Sequence, residues 1–235
     1  AGIVTKTRMV RSGLDTVYCI FSLASSQVYV LRVNLPFADP LRVVFTGGYR
    51  DFDAWSSSTG GLYIFLDSLG TNNIPRLAST NGGVTWSQRA LVTSAGAHPY
   101  TVKSGVGDTA ILMYYQAPTG DTISSAITVA RYRESAPGTL ASINFLTGLV
   151  PAGPQKDQFG AAWHSGVAWV FNTTGASGSR DIVYRVSTNS GGAFGSETPL
   201  ANRPGVDEYW FDLKHYTLGA GGLDVIYYYD STSGP

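Results

Sequence analysis

The sequence predicts an all-β protein, and three observations support this prediction. Only 14% of the 235 residues are charged, against about 25% in a typical domain, and Thr, Val and Tyr are abundant, a profile that disfavours long helices. Short apolar runs at residues 62–66, 110–114 and 225–228 alternate with Gly- and Pro-rich segments, a pattern typical of strands. An eight-residue segment at 79–86 recurs in weaker form 108 residues later, which indicates a repeated structural unit.

The two copies of this octet read STNGGVTW at residues 79–86 and STNSGGAF at residues 187–194. Each is predicted to form the tip of a β-hairpin. The Asn side chain is expected to accept hydrogen bonds from backbone N–H groups two residues on, and Gly supplies a positive φ. The aromatic residue is expected to pack under the turn. The structural residues of the two tips are then Ser79, Asn81, Gly83, Trp86, Ser187, Asn189, Gly191 and Phe194.

The octets fit a repeating unit of four strands, in which strand A is followed by a tight turn, strand B, a loop, strand C, a hairpin tip and strand D. The predicted B strands begin near residues 15, 62, 109, 167 and 223, at intervals of 47 to 58 residues. Blades of β-propellers have about 40–50 residues and four strands. We therefore predict one β-propeller domain of five four-stranded antiparallel blades, approximately 1–47, 48–96, 97–150, 151–204 and 205–235, with the last incomplete. A β-sandwich is the alternative.

The octet resembles the Asp-box, or BNR repeat, of sialidases, sortilin-type receptors and other β-propellers, with Asn where that family usually has Asp. The resemblance covers only the two octets, and it places the chain in a sialidase-like superfamily in the broad sense. It implies the propeller fold. It implies no particular activity, because neither a fold nor a local motif determines chemistry.

The predicted strand order puts the hairpin tips on one face of the propeller and the starts of the A strands, with the B–C loops, on the other. The second face is the usual ligand face of a propeller. Carboxylates that converge there could chelate Ca²⁺, orient sugar hydroxyls or act as an acid/base pair, although Asp before a strand also commonly caps a turn. The predicted ligand-binding residues are Arg50, Asp51, Asp53, His98, Asp157, Arg180, Asp207, Glu208 and Tyr209.

The resemblance to sialidases can be compared residue by residue. Those enzymes use three arginines around a carboxylate, a tyrosine nucleophile backed by a glutamate, and an aspartate acid/base. Arg50 and Arg180 lie on the expected face, but Glu208 and Tyr209 are strand neighbours whose side chains point to opposite sides. A third suitable arginine is not evident, and Arg8 only faintly resembles the arginine-led signature of the first blade. Sialidase activity is therefore not expected.

A five-bladed glycosidase is the better enzymatic alternative, because such enzymes place two or three carboxylates at the starts of inner strands. Asp51, Asp157 and Glu208 are the catalytic residues in that case. A glycosidase requires two carboxylates about 5–10 Å apart, and we expect them among Asp51, Asp157, Asp207 and Glu208 if the protein is an enzyme.

Composition and charge exclude several other classes. The formal net charge is zero, which gives no electrostatic reason to expect nucleic acid or an anionic membrane as a partner. No apolar run approaches the roughly 20 residues of a membrane span. Cys19 stands alone and is expected to be a buried structural thiol. No cofactor is expected, no two histidines have metal-ligand spacing, and Ca²⁺ is the one metal that the carboxylates suggest.

These observations favour a non-enzymatic recognition module that binds a glycan or a glycosylated receptor. A composition rich in Ser, Thr, Tyr and Gly suits a secreted lectin-like domain or a virion or phage attachment spike, and hence an extracellular or virion surface. The alternatives are a glycoside hydrolase and a structural component of a larger particle, which would assemble through protein contacts.

Overall fold

The computed structural model describes fourteen segments of the chain. Asp157 lies outside the described residues, and of Tyr209 only the backbone is described. The described segments are 4–12, 16–23, 26–34, 37–38, 40–87, 90–94, 96–103, 109–116, 126–135, 141–146, 159–164, 166–175, 180–216 and 222–231.

The described residues form strands and turns, and none of their segments is a helix long and apolar enough to cross a membrane. The described segments contain nineteen strands in chain order: β1 (Val4–Ser12), β2 (Thr16–Leu23), β3 (Gln27–Asn34), β4 (Phe37–Ala38), β5 (Arg42–Thr46), β6 (Tyr49–Ser56), β7 (Leu62–Ser68), β8 (Ile74–Ser79), β9 (Ala90–Thr93), β10 (Gly96–Lys103), β11 (Thr109–Gln116), β12 (Ala126–Arg133), β13 (Ala141–Leu146), β14 (Phe159–His164), β15 (Val167–Thr174), β16 (Asp181–Ser187), β17 (Thr198–Ala201), β18 (Val206–Tyr216) and β19 (Gly222–Ser231).

The strands pair with their sequence neighbours into five antiparallel sheets. Sheets 2, 3 and 4 have four strands each, in the orders β6–β9, β10–β13 and β14–β17. Sheet 1 has the order β1-β2-β3-β4, and its β5 also pairs with β3, so the outer strand is split in two. Sheet 5 is the pair β18 and β19 in the described residues. The predicted all-β fold is confirmed.

The first strands of successive sheets lie side by side, β1 against β6, β6 against β10, β10 against β14 and β14 against β18. Strands β1 and β6 run parallel, because Lys6 bonds Asp51, Arg8 bonds Asp53 and the Ser56 hydroxyl bonds the Arg11 carbonyl, each at a separation of 45 residues. Sheets that meet in this way around their first strands form a β-propeller, which is the predicted fold. A ring of five blades stays a prediction.

Apolar contacts between the faces of neighbouring sheets hold this arrangement together. All seven residues of β7 are buried, and its side chains alternate between two cores. Leu62, Ile64 and Leu66 pack toward sheet 1, whereas Tyr63 and Phe65 pack toward sheet 3. Burial of each such side chain contributes about 1.5–3 kcal/mol to the stability of the fold. Burial on both faces explains the continuous apolar run in this second strand.

The two octets share three hydrogen bonds. The Ser79 hydroxyl donates to Asn81 Oδ1 over 3.0 Å and accepts from the Gly83 N–H, and the Thr85 N–H donates to the same Asn81 oxygen. Ser187, Asn189, Gly191 and Ala193 repeat these three bonds at 2.8–2.9 Å. Gly83 and Gly191 have φ values of 82° and 80°.

One detail of the octet prediction was wrong. The Asn side chain was expected to accept from an N–H two residues on, but the donor is four residues on, because the turn encloses two glycines before the chain returns. The aromatic residue packs as expected: the Trp86 indole is partly buried and donates to the Gly83 carbonyl over 3.1 Å.

The prediction for Cys19 also needs correction. Cys19 is half-buried rather than buried. In β2 the side chains of Tyr18 and Ile20 face the core toward sheet 2, and Cys19 lies between them on the opposite face of the strand, whose residues are less covered.

Candidate functional site

Charged side chains from sheets 1, 2 and 3 meet near the starts of their first strands. We call this group the inner-strand cluster. It consists of Lys6, Arg8, Arg50, Asp51, Asp53, Asp67, His98 and Thr101.

Asp51 is the member that links all three sheets. Lys6 Nζ lies 2.6 Å from Asp51 Oδ1, and the Phe52 N–H donates to the same oxygen over 2.9 Å. His98 Nδ1 lies 3.3 Å from the other oxygen, Oδ2. The Asp51 side chain is only 3% exposed, whereas Lys6 is 30% exposed. The carboxylate is thus an internal anchor, and the ammonium group is the part that solvent and ligands can reach.

Asp53, two residues along the same face of β6, repeats this arrangement. Arg8 Nε lies 2.6 Å from Asp53 Oδ1, and the Thr101 N–H and hydroxyl donate to Oδ2 over 2.5 and 2.9 Å. Burial raises the pKa of Asp53, and the Arg8 charge opposes that rise. Arg8 is 33% exposed and lies 5.3 Å from the centre of the Tyr100 ring, so its guanidinium is held in place from two sides.

Asp67, at the end of β7, holds two further members of the cluster. Arg50 donates to Asp67 Oδ1 from Nε over 3.0 Å and from Nη2 over 2.8 Å, and its Nη2 also reaches Asn72 Oδ1. The His98 N–H donates to Asp67 Oδ2 over 2.9 Å. Burial raises the pKa of Asp67, and the His98 N–H and Arg50 oppose it.

His98 has an unusual backbone conformation. Its φ is 51°, in the left-handed region that favours glycine, and Asn72 beside Arg50 has a φ of 48°. A left-handed conformation costs an ordinary residue roughly 1–2 kcal/mol. His98 is held there because its N–H donates to Asp67 and its ring Nδ1 contacts Asp51 Oδ2, with the side chain 14% exposed. Strained residues of this kind concentrate at functional sites.

A second group lies at the starts of β16 and β18. Arg180 and Asp207 form a buried ion pair, with the Arg180 N–H and Nε donating to Asp207 Oδ1 over 2.8 Å each and Nη2 donating to Oδ2 over 2.5 Å. The Glu208 N–H donates to the Arg180 carbonyl over 2.8 Å.

Glu208 is the exceptional carboxyl group of this second group. Its side chain is 0% exposed, and neither oxygen has a hydrogen-bond partner within the described part of the chain. Arg203 Nε lies 3.9 Å from Oε1, and that arginine is 58% exposed. Burial raises the pKa of Glu208 and the Asp181 charge adds to the rise, whereas the nearby Arg203 opposes it.

The structure divides the predicted ligand residues into these two groups. Arg50, Asp51, Asp53 and His98 come together in the inner-strand cluster, and Arg180, Asp207 and Glu208 form the second group. Sequence reasoning missed Lys6 and Thr101 and gave Arg8 no binding role. A Lys-x-Arg pair on β1 facing an Asp-x-Asp pair on β6 was the available signal, because residues two apart share one face of a strand.

The inner-strand cluster contains three basic side chains in ion pairs with three carboxylates, so its charges balance before His98 is counted. The carboxylates are buried and the basic groups are partly exposed. Among the described residues, no three His, Cys, Asp or Glu side chains are grouped so that they could hold a metal ion. The cluster can therefore offer rigid N–H donors to a ligand, and its overall charge is nearly neutral.

No model of a known protein family matches this chain, and no curated protein matches it. Solved structures do match. The sialidase of Trypanosoma rangeli in complex with 2,3-difluorosialic acid aligns with a TM-score of 0.61 and 9% identity over 97% of this chain and 43% of that one. An α-L-arabinanase of Cellvibrio cellulosa complexed with arabinohexaose aligns with a TM-score of 0.52 and 11% identity over 97% of this chain and 88% of that one. The catalytic domain of a GH62 α-L-arabinofuranosidase from Coprinopsis cinerea gives 0.53 and 11%, over 99% and 86%.

These similarities support the β-propeller fold, which several glycan-processing enzymes share. At 9–12% identity they show the fold alone. The chain spans less than half the length of the sialidases that it matches.

Proposed function

We propose that the protein is a glycan-recognition module of the propeller type, and that the inner-strand cluster is its binding site. The strained His98, held by Asp51 and Asp67 from sheet 2 and partly exposed, is the observation that carries this proposal. A purely structural role would be better served at this position by glycine, which adopts a positive φ without cost.

The chemistry of the cluster suits hydroxyl groups. Lys6, Arg8 and Arg50 each have an anchored carboxylate partner, so the partly exposed N–H groups of Lys6 and Arg8 are pre-oriented donors. Pre-oriented donors lose little conformational entropy when they bind. Because three positive charges face three negative charges, a neutral sugar is favoured over a strongly anionic one.

Recognition is favoured over hydrolysis at this cluster. A glycosidase needs one protonated carboxyl group and one free carboxylate on either side of the scissile bond. Asp51, Asp53 and Asp67 are all at most 3% exposed, and each is bonded to a basic side chain and a backbone N–H. None of the three has the freedom to act on a substrate.

Glycoside hydrolysis is the second candidate, and Glu208 is the observation that favours it. A buried carboxyl group with a raised pKa is the usual form of a general acid. In this case Glu208 would protonate the leaving oxygen, and Asp157 rather than the tightly held Asp51 would supply the second carboxylate.

The octets support a relationship to Asp-box propellers, through the repeated Ser–Asn–Gly hydrogen bonds. We place the protein at an extracellular or virion surface, as a lectin-like or attachment domain that binds a glycan or a glycosylated receptor. An assembly role in a larger particle is the outcome if no glycan binds.

A glycan array followed by calorimetry tests the proposal. The wild-type chain should bind neutral arabinose-, xylose- or glucose-based oligosaccharides better than sialylated ones and should leave them intact. Lys6→Met should weaken binding about tenfold, the loss of one charge-assisted hydrogen bond. Arg133→Met, at an exposed position at the end of β12, is the matched control and should bind as wild type.

Two outcomes would contradict the proposal. One is the absence of binding to any glycan on the array, and the other is release of shortened sugars by wild type but not by Glu208→Gln. Because Lys6→Met leaves Asp51 buried with one partner fewer, Lys6→Met/Asp51→Asn serves as a variant in which both charges are removed. Its thermal unfolding separates loss of folding from loss of binding.

A further inference from the structure

A groove lies at the junction of sheets 2 and 3, beside the first octet. It has a volume of about 470 Å³, within the range of about 300–1,000 Å³ typical of small-ligand sites. Arg76 of β8 and Thr80, Thr85 and Trp86 of the octet line it from sheet 2, and Glu134 lines it from sheet 3. We call it the junction groove.

The junction groove is distinct from the inner-strand cluster. Tyr63 lines the groove, and Asp67 of the cluster lies four residues further along the same strand, β7. Four residues of a strand span roughly 13 Å. Thr80 and Trp86 belong to the hairpin tip, which comes after the end of β8, whereas the cluster lies where the first strands begin.

The side chains around the groove are held rigidly. Arg76 donates from Nη1 to the Tyr132 hydroxyl, and its guanidinium lies 5.7 and 5.8 Å from the ring centres of Tyr63 and Tyr132. Glu134 Oε2 accepts from the Thr59 hydroxyl over 2.5 Å, so this carboxylate crosses from sheet 3 to sheet 2. Such contacts leave little conformational entropy to be lost when a ligand binds.

Glu134 and Tyr63 lie in the same wall of the junction groove and interact electrostatically. Burial, together with the hydrogen bond and charge of Glu134, raises the pKa of the Tyr63 hydroxyl well above its usual range. Position 61 has no room for a side chain. A Cβ there would clash with Glu134 Oε1 and come within 2.7 Å of the Tyr63 hydroxyl. The absence of a side chain at Gly61 is therefore needed for Glu134 to reach this position.

The groove combines an aromatic ring, hydroxyl groups and one charge of each sign. Trp86 is partly buried and fixed by its bond to Gly83, and Thr80 and Thr85 are exposed. Arg76 lines the groove and carries its positive charge, and Glu134 carries the negative charge. Glu134 would repel an anionic ligand and Arg76 would repel a cationic one. A neutral sugar ring can stack on the indole and form hydrogen bonds with both charged groups.

We infer that the junction groove is a second binding site for a neutral sugar, built around Trp86, Arg76 and Glu134. The ligand class rests on the proposed glycan recognition, but the site does not use the inner-strand cluster. Two sites on one chain let one long glycan, or two branches of one, bind with an affinity above that of either site.

The two octets provide a matched pair of variants for the test. Thr80 and Thr188 occupy the same exposed position of the first and second octet, but only Thr80 lines the groove. Thr80→Arg fills the groove and leaves the side-chain hydrogen bonds of the hairpin in place, and Thr188→Arg adds the same bulk and charge elsewhere. Trp86→Leu and Phe194→Leu form a second pair, since both aromatic residues pack on a sheet core.

The experiment is an NMR titration of the full chain with cellohexaose, xylohexaose and maltohexaose, observing the indole N–H signals of the five tryptophans. Trp86→Leu assigns the Trp86 signal. At least one sugar should shift that signal in wild type and in Thr188→Arg. Thr80→Arg should weaken the binding that this signal reports about tenfold, because the arginine fills the groove. Trp86→Leu removes the signal itself, so its loss of affinity, also about tenfold, is measured by calorimetry against Phe194→Leu.

The outcomes separate this inference from the proposed function. If Lys6→Met weakens glycan binding about tenfold and no sugar moves the Trp86 signal in wild type, the junction groove is not a sugar site but glycan recognition stands. If Thr80→Arg and Thr188→Arg weaken binding equally, the effect is general and the inference is wrong. A Trp86 shift that survives in Lys6→Met supports the second site even when the inner-strand cluster binds nothing.

Discussion

Arg8 and Asp53 join the first strands of neighbouring sheets, with Arg8 Nε 2.6 Å from Asp53 Oδ1. Arg8 Nη2 also donates to the Thr101 carbonyl over 3.3 Å, and Thr101 donates twice to Asp53, so three sheets meet at one ion pair. The pair positions the inner-strand cluster because Lys6 and Asp51 lie two residues earlier on the same two strands.

Asp53→Asn tests the structural role of this pair. Loss of the carboxylate leaves Arg8 with its charge only partly compensated, and we expect the free energy of unfolding to fall by about 2–4 kcal/mol, slightly less than for a fully buried pair because Arg8 is 33% exposed. Chemical denaturation measures this loss. Glu197→Gln, in the more exposed Arg185–Glu197 pair, is the control and should cost under about 1 kcal/mol. Equal costs for the two variants would refute the role of the pair.

The Asn residues of the two octets should have similar structural weight, although Asn81 also donates from Nδ2 to Thr85 Oγ1 over 2.8 Å. Asn81→Ala and Asn189→Ala each remove the acceptor for two donors, and we expect each to lower the free energy of unfolding by about 1–2 kcal/mol. Asn81→Asp keeps the acceptor oxygen and should be nearly neutral. Hydrogen exchange at the Thr85 amide reports the local effect. If Asn81→Asp is as damaging as Asn81→Ala, the acceptor is not the important group.

Gly61 and Glu134 should be energetically coupled. Gly61→Ala forces Glu134 from its position and should cost about 1–3 kcal/mol. In Gly61→Ala/Glu134→Ala the clash with the carboxylate is gone, so the double variant should be more stable than the sum of the two single effects by roughly 0.5 kcal/mol or more. Gly195→Ala is the control, because its Cβ would meet only the Val186 carbonyl, at 3.7 Å. Strict additivity would contradict the predicted coupling.

Glu208 should make folding stability depend on pH in a defined direction. Its pKa is raised in the folded protein, above the value of about 4.3 of a free glutamate. Between those two values the folded state binds more protons than the unfolded state, so the contribution of Glu208 to stability falls as pH rises through this window. At neutral pH the buried charge is a cost, and Glu208→Gln should raise the free energy of unfolding by roughly 1–3 kcal/mol.

The difference between Glu208→Gln and wild type is the quantity to measure, because other carboxyl groups titrate in both proteins. Denaturation curves at several pH values from 7 down to about 4 should show this difference shrinking as the pH falls. A difference that is independent of pH would mean that Glu208 has an ordinary pKa in the folded protein.

Much of the fold could be predicted from sequence because it depends on local patterns. The octets predict hairpin tips at 79–86 and 187–194, and the buried run of β7 predicts a strand covered on both faces. The order of strands within a sheet then follows from antiparallel neighbours. How many blades complete the ring depends on contacts between distant segments, which a local pattern does not encode.

The candidate site was predictable only in part, for a related reason. Asp51, Asp53 and His98 were predicted to bind a ligand because they are polar residues at the starts of first strands. The structure brings them together. Their partner Lys6 lies 45 residues earlier in the chain, and the pairing depends on the relative position of two sheets. The left-handed conformation of His98 is likewise a consequence of tertiary contacts with Asp51 and Asp67.

Replacement of His98 by glycine tests the binding role of the inner-strand cluster most directly. Glycine adopts the positive φ freely, so His98→Gly should unfold at a temperature equal to or slightly above that of wild type. Calorimetric titration with the best neutral glycan from the array should nevertheless show binding weakened about tenfold or more, because the ring is lost. Unchanged affinity, or a large loss of stability together with the loss of binding, would show that His98 is structural and would contradict glycan recognition by the cluster.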